Sequence, residues 1–124
     1  MLSIFDNKQY AFLSKMLDIG AQRQRAIANN IANVNTPGFK RDDIDFMAQL
    51  KDALSESGNT EALKMLEGKM VKPNETPIRR DGNNVDLNKE LSELSKNAIL
   101  FNMYTQMLKG HYNKLRDAMQ GPAV

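Results

Sequence analysis

Few side chains in this chain are of a type that does chemistry. His111 is the single histidine, cysteine is absent, and the tightest group of carboxylates is Asp42, Asp43 and Asp45. One histidine without thiolates builds no His- or Cys-rich metal centre. The three aspartates offer hard oxygen ligands, but their spacing matches no EF-hand loop, and an acid-rich first turn of a helix accounts for them more simply. His111 falls late in a long helical pattern and is expected to complement the helix dipole or lie on the surface. Arg79-Arg80 reads as a solvated surface pair. No phosphate-binding glycine loop, dinucleotide fingerprint or nucleophile elbow is present. The eight methionines fall on apolar helix faces, where adaptable packing explains them. The expectation is a protein that is not an enzyme, with no catalytic residue, metal ligand or cofactor.

The remaining polar chemistry is amide chemistry. Four of the seven residues from Asn29 to Asn35 are asparagine, a poor helix former. Asn29, Asn30 and Asn33 together give up about 2 kcal/mol of helix propensity relative to alanine. A helix that only had to fold would not be written this way. Amides donate and accept at once, so the cluster suits pairing with other backbones or chains, and the expectation is that partners are found only in an assembly. Thr36 is pushed out of the helical region by Pro37, and Pro37-Gly38 suits the centre of a type II turn.

Two long helices flank this stop. In the first, capped at Asp6 or Asn7, the positions Tyr10, Leu13, Leu17, Gly20, Gln24, Ile27, Ile31 and Val34 step by three and four. That pattern fits either a helix packed once in a bundle or a coiled-coil arm, about 42 Å long. Leu2, Ile4 and Phe5 precede the cap as an apolar tip. The second helix begins near Asn84 to Asp86, stops at Gly121-Pro122, and carries the seam Leu87, Leu91, Leu94, Ala98, Phe101, Thr105, Leu108, Tyr112, Leu115 and Met119. Ile99, Leu100, Met103, Tyr104 and Met107 occupy its other faces, so its middle is apolar nearly all round and demands cover on all sides. That cover comes either from other molecules or from the middle segment folding back. The many charges of that segment favour other molecules.

Between the helices, a short helix is expected over Phe46, Met47, Leu50 and Leu54 with the aspartates in its first turn, broken at Gly58-Asn59. Another short helix is expected within Thr60 to Glu67, and Val71 to Asn84 reads as an exposed connector without a core. The fold class is therefore all-α: terminal helices pairing as a coiled coil, residues 1–35 and 86–124, around a short irregular middle, residues 36–85. Net charge is +2, with the bases of the middle segment interleaved with acids, so no nucleic-acid partner is expected. Asp6, Lys8, Lys15 and Asp18 interrupt any Sec-type apolar core, and no stretch approaches a membrane span. By these rules alone the chain reads as cytoplasmic.

The run Asn29-Asn30-Ile31-Ala32-Asn33-Val34-Asn35-Thr36-Pro37-Gly38-Phe39-Lys40-Arg41, at the end of an N-terminal helix, resembles the signature shared by bacterial flagellar rod, hook and hook-associated proteins. The run Arg80-Asp81-Gly82-Asn83-Asn84-Val85-Asp86-Leu87-Asn88-Lys89-Glu90-Leu91 resembles the start of the C-terminal helix in a small proximal rod subunit of that family. A second small rod subunit carries an Ala-Tyr-Glu-Ala-like run in this helix, where this chain reads Ser95-Lys96-Asn97-Ala98-Ile99-Leu100-Phe101-Asn102. The segment Ser55 to Thr76 matches nothing in the family pattern.

The resemblance implies a structural subunit of the basal-body rod, exported unfolded through the flagellar type III apparatus without a cleaved signal, and hence residence in the periplasmic rod. The partners it implies are other copies of the chain, other rod proteins, the protein joining the rod base to the MS ring, and the export apparatus. The terminal helices would polymerise helically to form drive shaft and channel wall. The assembly residues expected are Leu13, Leu17, Ile27, Asn29, Asn30, Ile31, Asn33, Val34, Asn35, Pro37, Gly38 and Phe39, with Leu87, Leu91, Leu94, Ala98, Phe101 and Leu108. A soluble helical adapter or export chaperone binding one partner helix is the competing expectation.

Overall fold

A computed structural model describes residues 4–55 and 60–121, with side chains of the first helix described from Lys8 onward. The apolar tip, the Gly58-Asn59 break and the Pro122 stop lie outside what it describes. The helix α1 spans Ile4–Ala32, α2 Met47–Ser55, α3 Thr60–Lys64 and α4 Leu87–Gln120. Asp6 and Asn7 lie inside α1, which corrects the expected cap; helical structure begins further back, at Ile4 among the described residues. The cap of α4 is Asp86, whose carboxylate accepts from the amides of Asn88 and Lys89 and so satisfies two free N–H groups of the first turn.

The all-α expectation needs one correction. Two strands, β1 Asp43–Asp45 and β2 Lys69–Val71, form an antiparallel pair with Ile44 opposite Met70 and Asp45 opposite Lys69. The aspartates are therefore not the first turn of α2, which has no acid there. Each has a use in or beside the strand: Asp42 takes Lys72 at 2.7 Å, Asp43 approaches Arg23 and Arg41, and Asp45 faces a lysine across the ladder, a favourable cross-strand pair. Ile44 between them is buried and draws the strand onto α1.

Both α4 and the middle segment pack on α1. The apolar core lies on the middle-segment side, where Ala11, Met16, Ile19 and Ala26 meet Ile44, Ala53, Leu63 and Leu66. Contacts along the other flank run Asn30 to Glu90, Arg23 to Glu93, Gly20 to Asn97, Phe12 to Tyr104 and Tyr10 to His111, so α1 and α4 are antiparallel. His111 is buried against the Tyr10 ring, not on the surface, because a side chain at that turn faces α1.

Candidate functional site

The two sequence motifs meet where α1 ends and α4 begins. The backbone amide of Asn33 donates to the carbonyls of both Asn29 and Asn30, and its side chain donates to the Asn29 carbonyl at 2.8 Å, closing the helix end. The turn follows as its chemistry demands: Phe39 N–H donates to the Thr36 carbonyl, and Gly38 has φ +75°. A second turn locks onto the first. Gly38 N–H donates to the Asp81 carbonyl at 2.8 Å, and Asn84 N–H to that of Phe39 at 3.3 Å. Gly82, at φ +85°, lies so close that a Cβ there would stand 3.3 Å from the Gly38 Cα.

The carbonyls at and just past the end of α1 are also bound by a residue far along the chain. The side-chain amide of Asn83 donates to the carbonyls of Asn33, Val34 and Thr36 at 2.9–3.2 Å, and its oxygen accepts from Val85 N–H. The Arg79 guanidinium also reaches the Val34 and Val85 carbonyls, so the Arg79-Arg80 pair is not simply a solvated one. Asn84 accepts from Arg41 N–H at 2.7 Å. The connector from Val71 to Asp81 is largely exposed, as expected, but Thr76, Asn83 and Asn84 are buried, which corrects that reading at these three positions. Asparagine in a connector signals a turn; a network of long-range backbone partners leaves no trace in local sequence.

Beneath the interlocked turns lies a charged node. Arg41 is 2% exposed and Glu90 fully buried, with Arg41 Nε 2.6 Å from Glu90 Oε1. Asn30, also fully buried, donates to Glu90 Oε2 at 3.1 Å and to the Asp42 carbonyl at 2.8 Å, and accepts from Asp42 N–H. One side chain of α1 thus ties together the strand after the turn and the first turn of α4. Asn30 and Asn33 find partners within the chain, contrary to the expectation that the amides wait for an assembly. At the connector, Lys89 lies 3.0 Å from Glu75 and holds its carboxyl below the ordinary carboxylate value, by hydrogen bond first and charge second.

The seam of α4 differs from the expected one. Its residues fall into rows seven apart. Leu87, Leu94, Phe101, Leu108 and Leu115 form one row; Glu90, Asn97, Tyr104 and His111 a second; Leu91, Ala98, Thr105, Tyr112 and Met119 a third. Sequence patterning pairs the first row with the third. The structure pairs it with the second, where Glu90, Asn97 and His111 are the buried residues of the helix. Asn97 donates to the Gly20 carbonyl at 3.0 Å and to Gln24 Oε1 at 3.1 Å. Gly20 leaves room for Phe101, which would lie 3.1 Å from a Cβ there. At the far end Tyr10 packs edge-on against Tyr112 and raises its phenol pKa by hydrogen bonding.

The expected assembly residues accordingly divide. Leu13, Ile27 and Asn30 are buried within the chain, and Leu17, Ile31, Asn33, Val34, Phe39, Leu94 and Leu108 are half-buried. Asn29, Asn35, Pro37 and Gly38 are exposed on one end, and Leu87, Leu91, Ala98 and Phe101 are exposed along α4. Sequence reasoning missed Arg41 and Glu90 as partners, as well as Asn97, Asn83 and Asn84. The placement of Glu90 on a row that also holds Asn97 and His111 was the available signal.

The second half of α1 and the Pro37-Gly38 turn, residues 20–40, match the family model of the flagella basal body rod protein. The flagellar basal body rod protein FlgB of Borrelia hermsii is 31% identical, over 82% of this chain and 87% of the relative. The chain belongs to the FlgB family of flagellar basal body rod proteins. The FlgB protein of Bacillus subtilis is likewise 31% identical, covering 80% and 83% of the two chains, and that of Escherichia coli K12 is 28% identical over 88% and 91%. The family is one of structural rod components, and the interlocked turns lie in and beside its matched segment. Among the described residues no helix is long and apolar enough to cross a membrane.

Proposed function

We propose that the chain is a structural subunit of the proximal basal-body rod that polymerises helically through α1 and α4, forming part of the drive shaft and of the export-channel wall. One observation carries the reading. Leu91, Ala98 and Thr105 are exposed beside the seam that packs on α1, and Ile99, Leu100, Met103 and Met107 are exposed on the other faces of the same helix. So much apolar side chain around the middle of one helix is more than a monomer ordinarily leaves in water. Cover from further copies and from other rod proteins satisfies it. Asn29, Asn35 and Pro37, exposed at the end of the hairpin, offer further contacts to neighbouring subunits. Pairing of α1 and α4 as a coiled coil, export through the type III apparatus, contact with the protein at the MS-ring junction and residence in the periplasmic rod belong to this reading.

The test is Leu91→Asp in the full chain, supplied in place of the native gene. Leu91 is 46% exposed, so the variant should still fold, at a cost of about 1 kcal/mol. An unpaired charge in a buried contact should nonetheless abolish rods and motility. Cells that swim normally would refute the assembly face. A wild-type chain that sediments as one small, defined oligomer at all concentrations would favour an adapter or chaperone.

A further inference from the structure

The three rows of α4 present two possible seams against α1. One combines the Leu87-to-Leu115 row with the polar row Glu90, Asn97, Tyr104 and His111; the other combines it with the apolar row Leu91, Ala98, Thr105 and Tyr112. The two differ by a roll of α4 of about 50°, half the 100° between successive residues. On apolar burial alone the second seam wins, since it would take Leu91 and Ala98 out of water and release a carboxylate and an amide into it. The chain adopts the first.

We propose that the polar row acts as a positioning device: Glu90 and Asn97 hold α4 in the roll that keeps its Leu91, Ala98 and Thr105 row out of the contact with α1. This rests on the reading of that exposed row as part of an assembly face. The geometry supplies the means. Glu90 is fixed by Arg41 at 2.6 Å and by Asn30 at 3.1 Å, and Asn97 by the Gly20 carbonyl and Gln24. None of these partners is reachable after the roll, so the apolar seam would leave the buried Arg41 and Asn30 without their acceptor. Gly20 adds a steric half, because its missing side chain receives Phe101 in this roll. A polar layer that selects one helix arrangement at the expense of stability is a known use of buried amides in helix pairs. Here the arrangement avoided is one in which the chain would bury its own assembly seam.

Ala98→Cys reports the roll, since residue 98 is exposed and the change is small. Its maleimide-labelling rate is measured in the full-length folded chain against the same chain in concentrated urea, with and without Glu90→Ser plus Asn97→Ser, which removes both clamps without making their row apolar. Without the two substitutions the rates should be similar. With them, labelling of the folded chain should slow by roughly tenfold or more as residue 98 turns inward, with helix content by circular dichroism unchanged. An unchanged labelling rate overturns the proposal. So does loss of helix content, which would make the two side chains a requirement for folding, not selectors of roll. Labelling of the Ala98→Cys thiol in isolated rods tests the assembly face separately. Free labelling there would count against the face while leaving the roll result intact.

Discussion

Glu90→Ala tests the charged node most directly. The substitution removes the acceptor 2.6 Å from Arg41 Nε and leaves a guanidinium that is 2% exposed, with Asp43 at 3.9 Å as its remaining anion. Asn30 keeps the Asp42 carbonyl at 2.8 Å, so its loss is smaller. Breaking one side of a buried ion pair costs about 3–5 kcal/mol. For a chain of 124 residues, at about 0.05–0.15 kcal/mol per residue, total stability is about 6–19 kcal/mol. The variant should therefore fold but melt far earlier in urea, a shift readable by far-ultraviolet circular dichroism. Arg41→Met combined with Glu90→Leu removes both charges and should cost less than Glu90→Ala alone, with a coupling of more than about 1 kcal/mol. A Glu90→Ala cost under about 1 kcal/mol, or costs that simply add, would refute the claim that this pair clamps α4 to the turn.

Gly82→Ala forces a side chain onto a left-handed backbone and against the Gly38 Cα, where backbone cannot give way. It should cost about 1–2 kcal/mol or more, and a melt indistinguishable from that of the parent would contradict the interlocked turns. Lys89→Ala should return the Glu75 carboxyl to its ordinary value, followed by carbon NMR through an acid titration. Because the folded value is lowered, the stabilisation is present above the unfolded pKa and fades as pH falls through the folded one. An unshifted Glu75 in the parent chain would dismiss the ion pair as a solution contact.

Much of this molecule is local in origin and was readable as such. The two long helices follow from three-and-four periodicity, which also placed the start of the second within Asn84 to Asp86, where Asp86 proves to be the cap. The stop at Thr36-Pro37-Gly38 follows from backbone sterics that involve no distant residue. The two motifs were also legible as a family resemblance. The roll of α4 was not legible, because the Leu94, Phe101 and Leu108 row serves two seams equally and patterning chooses the more apolar companion. That choice was reversed by Arg41, Asn30 and the Gly20 carbonyl, which lie 49 to 77 residues away along the chain from the side chains they hold. The strand Asp43–Asp45 and the burial of Asn83 have the same origin. A polar side chain looks exposed in sequence, since its cost of burial is intrinsic while the partners that offset it exist only once the chain has folded.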